Sequence, residues 1–231
     1  MKKKNVSTIL LIIVFFIGLS VLLYPTIADF LNSRSQAKVI SNYIEAMSTI
    51  DPNKYAEEIA KAEEYNLSLL SNPNRFNPDE EELEAYYALF GGNQSAIGYV
   101  EIPAIDVNLP LYLGTEESVL QAGLGCMPGT SVPIGGPDTH AVITGHRGLP
   151  SAKLLTDLDQ VVVGDTFTVS VWNREMLYEV DQIVVVLPHE LEELAIAEGE
   201  EYCTLVTCTP YGINTHRILV RGHRVAEEAT P

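Results

Sequence analysis

Positive charge is what this sequence most lacks: 14 Lys and Arg stand against 31 Asp and Glu, a formal net charge of −17. Phosphate binding needs clustered Lys and Arg, so nucleic acid is excluded as a partner. The acidic excess reads instead as the solvated face of an exposed domain. Cysteine is scarce as well. Cys126, Cys203 and Cys208 are too few for a disulfide scaffold and odd in number, which flags a reactive thiol. On one extended strand Cys203 and Cys208 would face opposite sides, roughly 16 Å apart and too far to bridge; pairing of Cys126 with either stays open. None of the tight ligand-pair spacings of zinc sites occurs among the cysteines and histidines, so no metal is expected. Internal repeats and low-complexity tracts are also missing.

Long apolar runs are absent except at the start. Val6 to Tyr24 is uncharged and almost wholly apolar, about the length that spans a bilayer as a helix. The lysines at positions 2–4 would hold the N-terminus inside and send the rest of the chain outside. Thr26-Ile27-Ala28 could serve as a cleavage site, but the run exceeds a usual signal core and reads as a retained membrane anchor over 1–31.

From 32 to 95 the texture is charged and helical. Ala37–Met47 and Pro52–Leu70 carry helix formers, with Asp51-Pro52 as a helix start. Asn72-Pro73-Asn74 and Asn77-Pro78 break the pattern around Arg75 and Phe76, Asp79–Leu89 resumes it, and Gly91-Gly92 ends it. Between Asp51 and Gly92 ten carboxylates face three basic residues. This is the composition of a peripheral helical layer or stalk.

Beyond, over 96–226, short β-branched and aromatic runs bounded by Gly, Pro and Asn predict an all-β barrel or sandwich. They are Ile97–Ile102, Val107–Leu113, His140–Thr144, Thr166–Val171, Met176–Leu187, Tyr202–Cys208 and Arg217–Val225. Helical pieces are expected at Glu116–Ala122 and Ser151–Leu158, and a short tail at 227–231.

Three reactive side chains fall at strand ends. The run Tyr202–Thr207 leads straight into Cys208 and is stopped by Pro210 and Gly212, which places the thiol at the mouth of a barrel. Ala141–Thr144 leads into Gly145-His146-Arg147-Gly148, and Arg217 opens the last strand. Taken singly, a buried structural Cys and a satisfied surface His are the bland readings. Together the three make a coherent acyl-transfer set: a thiolate to attack a carbonyl, an imidazolium to protonate the departing amine, and a fixed guanidinium fork for the oxyanion. No Asp or Asn that would orient His146 is evident from the sequence.

At this point the residues resemble a known family. Thr204-Leu205-Val206-Thr207-Cys208 matches the sortase pattern Thr-Leu-x-Thr-Cys, with Arg217 at the expected short distance. The segments Ile143–Ala152, Cys208–Arg217 and Ile97–Pro103 are similar to those of class C, or pilin-polymerising, sortases. The resemblance implies a mainly β fold, a closed barrel of about eight strands decorated by N-terminal helices, on the outside of a Gram-positive cell. It implies cleavage of a Leu-Pro-x-Thr-Gly-like sorting signal between Thr and Gly. The acyl group on Cys208 would then pass to a lysine amine of a pilin subunit, with no cofactor. The runner-up within the family is anchoring of surface proteins to peptidoglycan. His146, Cys208 and Arg217 occupy the family's three catalytic positions. Class C members usually carry an Asp-Pro-aromatic lid, and Asn74-Arg75-Phe76-Asn77-Pro78-Asp79 has no such tripeptide; Phe76 is the lid candidate here, or merely packs on the barrel.

Overall fold

The structure is a computed structural model that describes residues 2–89 and 95–225. The expected helix stop at Gly91-Gly92 and the tail at 227–231 lie outside the described residues. Four α-helices are α1 (Lys2–Thr49), α2 (Pro52–Leu69), α3 (Glu80–Leu89) and α4 (Glu117–Ala122). The strands are β1 (Gly98–Ile102), β2 (Val107–Leu113), β3 (Leu124–Cys126), β4 (Thr139–Thr144), β5 (Arg147–Leu149), β6 (Ala152–Leu154), β7 (Thr166–Val171), β8 (Arg174–Val186), β9 (Glu201–Thr209) and β10 (His216–Arg224).

Eight strands close into a barrel in the order β1-β2-β3-β4-β9-β10-β8-β7, and β5 and β6 form a separate hairpin. Closure follows from period-2 alternation, which sends every second side chain inward. Along β9, Cys203 and Leu205 point into the main core, while Val206 belongs to a second cluster on the outer face. Ala141 and Ile143 of β4 and Ile218 and Val220 of β10 likewise point inward, with Val142 and Leu219 outward. Phe167 and Tyr178 stack at 5.4 Å inside the barrel.

The N-terminal layer departs from expectation in two ways. The anchor and the helix expected at Ala37–Met47 are one continuous helix, carried through Pro25. Its apolar part is long enough to cross a membrane and is not covered by the rest of the protein. Its C-terminal half lies on the barrel, where Tyr43 donates from its hydroxyl to Ile97 O at 2.7 Å and Gln36 donates to Ala122 O at 3.2 Å. The acidic segment is also more than a peripheral layer, because Ala62 of α2 and Tyr86 of α3 sit in the main buried cluster. Asn66 fixes α2 to the barrel with a two-way bond to the backbone of Val132, at 3.0 and 2.8 Å.

The helix expected at Ser151–Leu158 is absent. Ala152 and Leu154 are buried with Lys153 exposed between them, a strand's alternation, and β6 pairs back on β5. Helix-forming composition is overridden there by tertiary hydrogen bonds: Lys153 N donates to the Asp29 carboxylate at 2.7 Å, and Asn32 Nδ2 to Ser151 O at 2.6 Å.

Candidate active site

Cys208 is the penultimate residue of β9 and lies directly opposite Arg217 in the β9–β10 ladder. Directly opposed residues share a face of the sheet, with Cβ atoms about 5 Å apart. The Val206–Leu219 pair lies one step along the same face, so Cys208 and Arg217 project from the outer surface at the strand end. The thiol was expected at the mouth of the barrel; it projects from the outer face at the strand end.

His146 reaches the same place from the parallel neighbour. Thr144 of β4 is in register with Val206, and Gly145 N still donates to Val206 O at 3.2 Å. The Thr207 hydroxyl, buried, closes the clamp by donating to Gly145 O at 2.7 Å. His146 thus leaves the ladder level with the end of β9. A side chain at Gly145 would collide with Leu124 and Leu155, its Cβ standing 2.5 Å from Leu124 Cδ2, so packing demands glycine just before the histidine. Among the described residues no hydrogen bond joins His146 to Cys208. The His146 Nε2 instead faces the Glu117 carboxylate of α4 at 3.3 Å. A hydrogen bond from Gln121, then the neighbouring His146, hold the Glu117 carboxyl below the usual carboxylate range.

Arg147 plays a part that sequence reasoning did not assign. Its side chain is 5% exposed and ties β9 to the segment that follows β6. Nε donates to Thr156 O at 3.0 Å, Nη1 to Thr209 Oγ1 at 3.1 Å and to Cys208 O at 3.4 Å, and Nη2 to the Asp159 carboxylate. The residue after the histidine therefore holds the main chain of the thiol. Its only signal in the sequence was the Gly-His-Arg-Gly context. The Arg217 guanidinium is turned to the β9–β10 connection, donating to His216 O at 3.0 Å and Asn214 O at 3.3 Å. Among the described residues it pairs with no carboxylate.

Next to Cys208 and Arg217 on the same face lies an apolar cluster of Val142, Leu194, Val206 and Leu219, and Phe76 packs against it. Arg75 pins that loop: it is 8% exposed, donates from Nη1 to Gly129 O and from Nη2 to Leu194 O, both at 3.0 Å, and lies 4.1 Å from the Phe76 ring centroid. A cleft of about 380 Å³ lies behind the loop, between α2 and α3, and none of the three reactive residues lines it.

The other two cysteines are sealed in the barrel with thiols pushed up by burial, and all three are unbridged. His140 is also structural. It is fully buried between Ala195 O at 2.9 Å and Thr204 Oγ1 at 2.7 Å, and burial draws its pKa down to about 4. Among the described residues no group of three or more His, Cys, Asp or Glu is arranged to hold a metal.

Comparison with known proteins places this geometry. The family description "Sortase domain" matches residues 100–225. Sortase C1 of Streptococcus agalactiae is 45% identical, with a TM-score of 0.77, covering 83% of this chain and 100% of that one. A Clostridium perfringens sortase C, solved with its C-terminal cell wall sorting motif, is 37% identical with a TM-score of 0.73, covering 82% of this chain and 99% of that one. Sortase A of Streptococcus agalactiae is 30% identical over 131 residues, 55% of this chain; the chain matches about half the length of this curated relative, 52%.

Proposed function

The chain belongs to the sortase family, and from that premise we propose that it is a cysteine transpeptidase of the pilin-polymerising class. The observation that carries the reading is the convergence of Cys208, Arg217 and His146 at one end of β4, β9 and β10, beside an apolar cluster on the same face.

The proposed chemistry runs in two halves. The Cys208 thiolate attacks the Thr carbonyl of a Leu-Pro-x-Thr-Gly-like segment, and the tetrahedral oxyanion is met by the Arg217 fork. Collapse breaks the Thr–Gly bond as His146 gives its proton to the departing amine, leaving a thioester. A lysine amine then attacks the thioester and loses its proton to His146, which releases Cys208 and forms an isopeptide bond. Glu117 and Arg147 would hold the histidine and the thiol's main chain in place. The Clostridium relative holding a sorting motif supports this substrate class. Phe76 on the apolar cluster beside Cys208 supports a lid role, because a substrate segment laid toward the thiol would meet the same side chains.

The test is intact-mass spectrometry of the protein with a Leu-Pro-x-Thr-Gly peptide and a pilin domain bearing an acceptor lysine. An acyl adduct on Cys208 plus a peptide–pilin isopeptide product supports the whole reading. An adduct that only hydrolyses points to another acceptor, such as peptidoglycan. An adduct that persists in Cys208→Ala would remove Cys208 as the nucleophile.

A further inference from the structure

Residues 5–28 carry no charge, and Asp29 is the first charged side chain after Lys4. At 1.5 Å per residue that stretch is about 36 Å long as a helix, against a hydrocarbon core of about 30 Å. Asp29 therefore marks the level at which an inserted α1 would leave the lipid. The same carboxylate accepts from Lys153 N at 2.7 Å, and Asn32 donates to Ser151 O at 2.6 Å. Ser151 lies in the β5–β6 turn and Lys153 in β6 just after it. The tip of that hairpin is thus fastened to the helix at its point of exit. The helix continues to Thr49 and is bonded again at Gln36 and Tyr43, so it meets the barrel as one rigid piece.

The far end of the same hairpin is Arg147, whose guanidinium holds Cys208 O. The β9–β10 connection leans on it: a Cβ at Gly148 would stand 2.8 Å from Tyr211 Cε2, and Arg147 lies 5.9 Å from the Tyr211 ring centroid. That connection presents two large apolar side chains to solvent, Tyr211 at 59% and Ile213 at 67% exposure. The cations of the hairpin are paired, Arg147 with Asp159 and Lys153 with Asp157, whereas Arg217, at the start of β10, pairs with no carboxylate among the described residues.

We propose that the β5–β6 turn and the β9–β10 connection rest on the lipid headgroup layer, with Tyr211 and Ile213 touching it, so that the acyl-transfer site opens at the membrane surface. An exposed aromatic and an exposed aliphatic side chain beside the point where a span leaves the lipid are the groups expected at such a boundary. The inference rests on reading α1 as a retained span.

The test uses the full chain in vesicles of phosphatidylcholine and phosphatidylglycerol, with or without brominated acyl chains that quench tryptophan. The native sequence has one tryptophan, Trp172, whose backbone N donates to the Tyr43 hydroxyl. Tyr43 is about 21 Å along the helix from Asp29, so Trp172 is an internal reference that brominated lipid should leave bright. Ile213→Trp and, separately, Tyr211→Trp should add emission that brominated lipid removes. Leu22→Trp, inside the apolar run, should also be quenched. Quenching at 22 but at neither 211 nor 213 overturns the proposal while leaving the anchor intact. No quenching at 22 removes the anchor reading itself, and the proposal falls with it.

Discussion

Replacing Arg75 by Met should free the Phe76 loop and open the surface beside Cys208. The substitution keeps an unbranched apolar stem but deletes the guanidinium that donates to Gly129 O and Leu194 O at 3.0 Å each and covers the Phe76 ring at 4.1 Å. A hydrogen bond to a charged group contributes about 1.5–3 kcal/mol net, and a cation–π contact about 0.5–1 kcal/mol at a partly exposed site. These terms are not additive, so about 3 kcal/mol is a fair figure for the pair of bonds that tie the loop down. Loss of that much shifts the closed-to-open ratio by about a hundredfold. The assay is the rate at which a bulky thiol reagent modifies Cys208, followed by intact mass. Cys126 and Cys203 are buried and act as internal reporters of global unfolding, since neither should be labelled in a protein that has merely opened its loop. Arg75→Met should react up to about a hundredfold faster at one thiol only, and Phe76→Ala should follow it by removing the plug from Val206 and Leu219. Wild-type rates in both variants would show that the loop does not guard the thiol, and labelling of all three thiols would show that Arg75 holds the fold together rather than the loop.

Arg217→Lys should lower kcat by about 10²–10³, the scale of one lost oxyanion donor, because an ammonium is a point charge and not a fork; near-normal peptide turnover would take Arg217 out of that role. Glu117→Gln keeps a polar partner 3.3 Å from His146 and removes the charge, and Glu117→Ala removes both. Steady-state rates should fall roughly less than tenfold in each, as for a solvent-exposed pair, and equal losses would mean that charge matters and orientation does not. His140 is a base whose folded pKa is drawn down to about 4 from 6.5 by burial, so the folded state gains nothing from it above pH 6.5 and loses stability as pH falls through the window from 6.5 to 4. About 2 kcal/mol should be gone at pH 5 by urea unfolding, and His140→Gln should flatten that slope; an unchanged slope would remove His140 as its source.

The barrel was legible because its strands are short β-branched and aromatic runs between Gly, Pro and Asn stops. Thr166–Val171 and Val107–Leu113 have the bounds that this pattern gives. Leu124–Cys126 and Arg147–Leu149 were not legible, since three residues are too few to show a period and their pairing is fixed by distant partners. Ser151–Leu158 misled for a related reason: Ala, Lys and Leu favour a helix locally, and only bonds from Asp29 and Asn32 hold it extended. Cys208 and His146 stand out in the sequence beside Pro and Gly stops and Arg217 opens the last strand, and the fold brings the three to one end of β4, β9 and β10. Glu117 could not, because it is 29 residues from His146 and meets it only when α4 packs beside β3. Phe76 was left between two readings; in the fold it packs on the barrel, against the cluster that includes Val206 and Leu219.

The barrel hides two of its thiols and leaves the third without a neighbour. An oxidant reaching Cys208 would turn it into a sulfenic acid, whose usual escape is condensation with a second thiol. Cys203 points through the opposite face of the same strand into the core, and Cys126 lies inside with it. The oxidised sulfur is left with an external small thiol or with further, irreversible oxidation. Outside the reducing cytoplasm such a protein would be retired by oxidation one molecule at a time, with no disulfide in which to store its activity.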